Sequence, residues 1–259
     1  MTAPTTERFM ALARSSPWRW ASLRFSVSWT GPSQLWSEPL RSWVRRPDAV
    51  RVETTGGDLV YLDVRTVSWG RSRAILTGDG PQPVPTPRSP LDPDAPKPEF
   101  DDDGFVRHRP PDDGQVFYDD PMFRSYHWVA MLDPVELADG DGPMAPVELD
   151  RVIEVDHHDR PSWEATVRTT AGYVPRCSCC ALLFGPEILA VGPADQRWLE
   201  GDFRLPTEHR VRLDLATGVC VLTEELDGSR VGAGHELVIE AVNEPMAEDL
   251  FDAPGYARG

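Results

Sequence analysis

Alternation of apolar and polar positions dominates this chain. Val211, Leu213 and Leu215 are separated by polar neighbours, the period of two expected of a half-buried strand. Thr217-Gly218 marks a turn, and a second run, Val219 to Leu222, leads to the hairpin signal Asp227-Gly228. Leu237, Ile239 and Ala241 share one face of a last strand, and a short capping turn ends at Phe251. The same signal opens the chain. Between Trp18 and Thr30, Leu23, Phe25, Val27 and Trp29 face one way and Arg24, Ser26 and Ser28 the other. Three short strands follow up to Val64, broken at Arg46-Pro47-Asp48 and at Gly56-Gly57-Asp58. Trp69 to Leu76 reads as another strand. Leu149 to Val155 and Trp163 to Thr169 read as a hairpin across His157-His158-Asp159-Arg160.

Helical spacing is rarer. Thr5 or Thr6 can cap a helix with Phe9, Leu12 and Ala13 on one face, stopped by Pro17. A second helix is expected around His127, Val129 and Met131, ending at Leu132-Asp133-Pro134. Residues 81–121 carry 11 of the 26 prolines, with ten acidic against four basic residues. Such a stretch buries too little apolar surface to offset its ordering entropy, so a mobile or extended insertion or linker is expected, with a lid as the functional alternative. The expected fold is therefore mainly β with some α, residues 1–259 forming one domain around one antiparallel sheet.

Composition narrows the partners. The formal charge of −16 opposes phosphate backbones and anionic membranes, so nucleic acid is not expected. No apolar run approaches a membrane span, and the first twenty residues lack an apolar core of signal-peptide length; a cytoplasmic location with reduced cysteines is expected.

One local cluster could carry chemistry, Arg176-Cys177-Ser178-Cys179-Cys180, with Cys220 on a later strand. In an extended segment Cys177 and Cys179 would share a face, and Cys179 and Cys180 could both contribute only if the backbone bends. Cys177, Cys179, Cys180 and Cys220 are candidate zinc ligands; burial as small apolar side chains and a disulfide or redox role are the alternatives. His157 and His158, adjacent on a strand, would point to opposite faces and make a poor chelate. Asp101-Asp102-Asp103-Gly104 hints at calcium without the remaining ligands of such a loop. No nucleophile elbow, dinucleotide fingerprint or phosphate loop occurs, and no catalytic residue is assigned.

Four elements taken together resemble a known family: the leading helix and aromatic strand, WVRRPDAVRVE at Trp43 to Glu53, VRLDLATGVCV at Val211 to Val221, and IEAVNEPMAEDLF at Ile239 to Phe251. They resemble the LolA-like superfamily of lipoprotein carriers and regulators that bind anti-sigma factors. The resemblance implies a curved antiparallel sheet, an open or half barrel with helices on its concave side, and a cavity between them for an acyl chain or partner peptide. Phe25, Trp29, Trp43, Trp69 and Trp128 are the candidate cavity residues. The expected function is non-enzymatic binding of an apolar small molecule or peptide. A protein-interaction or regulatory module and a metal or redox protein using the cysteines are the alternatives.

Overall fold

The computed structural model describes residues 3–31, 36–64, 89–110, 120–140, 143–191 and 202–252. Its centre is one antiparallel sheet of nine strands that does not close into a barrel. An N-terminal meander contains β1 (Ser22–Thr30), β2 (Leu40–Arg45), β3 (Ala49–Thr54) and β4 (Leu59–Val64). After a small separate hairpin, β5 (Glu99–Phe100) and β6 (Val106–His108), a second meander contains β7 (Val147–Asp156), β8 (Pro161–Thr169), β9 (His209–Asp214), β10 (Cys220–Glu225) and β11 (Gly234–Val242). The two meanders join where β1 pairs with β11, giving the order β4-β3-β2-β1-β11-β10-β9-β8-β7. The first and last strands of the long sequence thus meet at its middle.

Alternation builds the core. Leu23, Phe25, Val27 and Trp29 of β1 are buried together with Leu40 and Val44 of β2, Val50 and Val52 of β3, and Leu237, Ile239 and Ala241 of β11. On that face sits α1 (Thr6–Ser15). The Thr5 hydroxyl accepts from the Arg8 amide at its start, a cap contributing about 1 kcal/mol. Phe9, Leu12 and Ala13 fill the core, and the chain leaves the helix at Ser16-Pro17. The second helix, α2 (Tyr126–Leu132), is tied to it by the Ser16 hydroxyl on the Leu132 carbonyl, 2.6 Å. A single helical turn, α3, spans Ile188–Val191.

The turns follow from residue chemistry. At 158–159, His158 and Asp159 both adopt positive φ, and His157 and Arg160 exchange backbone hydrogen bonds; this is a two-residue turn whose twist suits a hairpin. In the β9–β10 turn, Asp214 accepts from the Thr217 amide and hydroxyl, and Gly218 takes φ +72°. A Cβ at Gly218 would lie 2.7 Å from the Leu12 carbonyl, so glycine lets this turn close onto α1.

Two sequence expectations change here. The strand expected from Trp18 begins at Ser22, because Ser16–Trp18 form a 3-10 turn around Pro17. Within 81–121, the described part from 89 to 110 is not structureless. Asp101 turns the chain by accepting from the Asp103 and Phe105 amides. Phe105 stacks on Trp163 at 5.8 Å, and the Val106 amide donates to Ser15. Arg109 reaches both Asp133 and the Arg14 carbonyl. Two aromatic or aliphatic anchors and one arginine dock a segment whose average composition is unfavourable. The expected strand Trp69 to Leu76 lies outside the described residues.

Candidate functional site

At one end of the buried face the apolar core gives way to polar residues. β9 contributes His209 there, β10 Thr223 and Glu225, and β11 His235, all inward by the same alternation that buries Val211, Val221 and Leu237. A cavity of about 240 Å³ opens between these strands, Trp29 of β1, Ser125 and His127 at the start of α2, and the loop carrying Cys179, Cys180, Leu182 and Phe184.

The histidines are neutral and their tautomers are fixed by carbonyls. His235 donates from Nε2 to the Cys220 carbonyl at 2.9 Å and accepts at Nδ1 from the Thr223 hydroxyl at 3.0 Å. Burial, then the neighbouring His127 ring, pushes its pKa down to about 3. His127 donates from Nδ1 to the Ala181 carbonyl at 2.9 Å, and burial lowers its pKa too. Its Nε2 therefore faces His235 Nδ1, 3.3 Å away, with no proton between them at neutral pH. Glu225 is paired with Arg230 at 2.7 Å, so the wall carries no uncompensated carboxylate there.

His209 differs. It is 2 % exposed, no side chain hydrogen-bonds its ring, and only weak backbone contacts at Phe184 and Val167 reach the two nitrogens. Burial pushes its pKa down to about 4. Trp29 Nε1 and the Ser125 hydroxyl, in residues that also line the cavity, are buried without a close partner. Each such group costs about 1–3 kcal/mol when desolvated and unmatched.

The expected cavity aromatics separate. Trp29 lines this cavity. Phe25 and Trp128 lie behind it in the core, ring centroids 5.3 Å apart. Trp43 follows buried Ser42 on β2, so alternation turns it to the other face, where it lines an open groove with Arg24 and Arg51. Trp69 lies outside the described residues. Sequence reading missed His127, His209, Ser125 and Thr223. Inward parity on β9 and β10 was the available signal, because a polar residue on an apolar face is the informative exception.

The cysteines also separate. Cys177 to Cys180 is not extended but a turn, closed by the Cys180 amide on the Cys177 carbonyl at 3.3 Å. The three sulfurs all lie within 4.8 Å of one another, Cys177 to Cys179 at 2.9 Å and Cys179 to Cys180 at 3.9 Å. Cys220 is outside this group, fully buried on β10 with its thiol on the Leu222 carbonyl at 3.5 Å. His157 and His158 do come together with Glu236, because positive φ at His158 ends strand alternation at the turn. Both His157 nitrogens are engaged, however, Nε2 with the Leu237 carbonyl and Nδ1 with Arg212.

No family model, curated protein or solved structure matches this chain. No helix among the described residues is long and apolar enough to cross a membrane.

Proposed function

We propose that this protein is a non-enzymatic binding protein that takes a small amphipathic molecule into the cavity between Trp29, His209, α2 and the cysteine loop. The inward-facing polar residues Ser125, His127, His209 and Thr223 around an otherwise apolar cavity carry this reading. They call for a ligand whose apolar body rests on Trp29, Leu182 and Phe184, and whose polar end both donates and accepts hydrogen bonds. About 240 Å³ is below the roughly 300–1,000 Å³ of pockets for drug-sized ligands, so a single ring or short chain fits better than a full acyl chain. The neutral imidazoles and the paired Glu225 favour an uncharged head group. The reading is in keeping with the LolA-like resemblance, in which a half-barrel sheet holds apolar groups against helices on its concave side. The runner-up, a protein or peptide partner paired along a sheet edge, is less well supported at β7. That edge carries Glu148, Asp150, Glu154 and Asp156 and an irregularity between Asp150 and Ile153, features that block strand addition.

Calorimetric titration with uncharged primary alcohols and amides of increasing chain length tests it. One-to-one binding with an optimum at short or medium length is expected. His209→Phe should weaken the best ligand about tenfold, the 1.4 kcal/mol of one good hydrogen bond. Absence of saturable binding throughout the series, with no small molecule retained in native mass spectrometry, would refute the reading.

A further inference from the structure

The cysteine turn lies at the rim of that cavity but has chemistry of its own. Its anchors are strong. On one side Arg176 reaches the buried Asp133 at 2.6 Å. On the other, the Leu182 amide donates to Glu136 at 2.9 Å and the Leu183 amide to the Tyr173 hydroxyl at 3.1 Å. Ala181, Leu182 and Leu183 are buried, so the turn projects from a fixed base. Cys179 is exposed, and Cys177 and Cys180 are half-buried. Three thiols packed only for apolar burial would be inside the core, as Cys220 is.

We propose that Cys177, Cys179 and Cys180 hold one zinc ion through three thiolates, the fourth ligand coming from solvent or from the adjoining cavity. Zinc–sulfur bonds of about 2.3 Å put tetrahedral sulfurs about 3.8 Å apart. The Cys179–Cys180 spacing of 3.9 Å already matches, and Cys177 must move about 1 Å from Cys179 to do so. Binding balances as one Zn²⁺ taken up and three thiol protons released, each sulfur donating a lone pair to the metal. A disulfide would use two of the sulfurs and leave the third unexplained.

The test is competition of the reduced full-length protein with a chromophoric zinc chelator, and alkylation of its thiols counted by mass. One equivalent of zinc is expected, cutting the thiols alkylated in the folded protein from three to none, since Cys220 is buried with or without metal. Cobalt in its place should give an intense near-ultraviolet thiolate band. Cys177→Ser, Cys179→Ser and Cys180→Ser should each weaken binding about 100-fold or more, more than loss of an outer-shell partner costs. Cys220→Ser and His158→Ala, the latter removing the other convergent donor group among the described residues, should leave zinc affinity unchanged. Since the alcohol and amide titration is run without metal, the two proposals stand or fall separately. Zinc uptake that survives all three serine variants overturns the assignment. So does copper(I) binding without zinc binding, or the absence of zinc uptake by the fully reduced protein.

Discussion

Two of the polar places in the interior are built on opposite principles. Beneath α1, Arg46 and Asp120 form a buried pair. The Arg46 guanidinium also donates to the Ser16 and Trp20 carbonyls at 2.9 and 3.0 Å and lies over the Trp20 ring. Its charge and donors are matched by the protein itself. At the cavity, 2 % exposed His209 has no side-chain partner and only weak backbone contacts, and Trp29 and Ser125 add groups without a close partner. Self-matched polarity holds the fold together, whereas unmatched polarity costs stability and makes sense as a site. Burial alone does not distinguish the two; the partner of each polar atom does.

The largest expected effect lies at the matched site. Asp120→Ala leaves Arg46 charged and buried, and should cost about 3–5 kcal/mol in urea unfolding. A loss below about 1 kcal/mol would mean that the pair is not the anchor described and would blur the comparison.

Acid gives the next effect. His209 and His235 have folded pKa values of about 4 and about 3, below the ordinary 6.5. Between 6.5 and those values the unfolded chain takes up protons that the native state refuses. Stability therefore falls as the pH drops through this window and levels off below it. Each ring should contribute roughly 2–3 kcal/mol of that loss by pH 4, at about 1.4 kcal/mol per pKa unit. Glu136 works in the opposite sense. Burial pushes its pKa up to about 7, so its contribution to stability is lost as the pH rises from the unfolded value of 4.5 through 7. Unfolding free energies from pH 4 to 8 for the wild type and His209→Phe should differ in slope between pH 6.5 and 4; identical profiles would contradict a buried neutral His209.

The smallest effect sharpens the contrast most. His209→Phe should leave stability at pH 7.5 unchanged or raise it by about 1 kcal/mol, because it removes a buried polar ring with no side-chain partner and no close hydrogen bond. A loss of more than about 2 kcal/mol would place His209 with the self-matched groups and remove it from the site.

The strands were legible because alternation is local. Leu23 to Trp29, Val211 to Leu213 and Leu237 to Ala241 each reveal their buried face without knowledge of a neighbour. The capped helix α1 and the hairpin across His157 to Arg160 are local in the same way. Extended geometry did not hold at Cys177 to Cys180, where the chain bends, nor did strand alternation at His157-His158, which sit in the expected hairpin turn. Backbone bending there brings together side chains that extended geometry would keep apart.

By itself, the sequence determined the antiparallel strands, their inward faces and the short helices, since each depends on contacts a few residues apart. Tertiary structure alone decided the rest: that β1 meets β11 at the middle of the sheet, that residues 99–109 dock on α1, and that Trp29, Ser125, His127, Cys179, His209 and Thr223 share one cavity. Those six residues come from well-separated parts of the chain. Their meeting depends on strand order and helix packing, which no local period encodes, and whether a polar atom is left unmatched depends on which other segment arrives beside it.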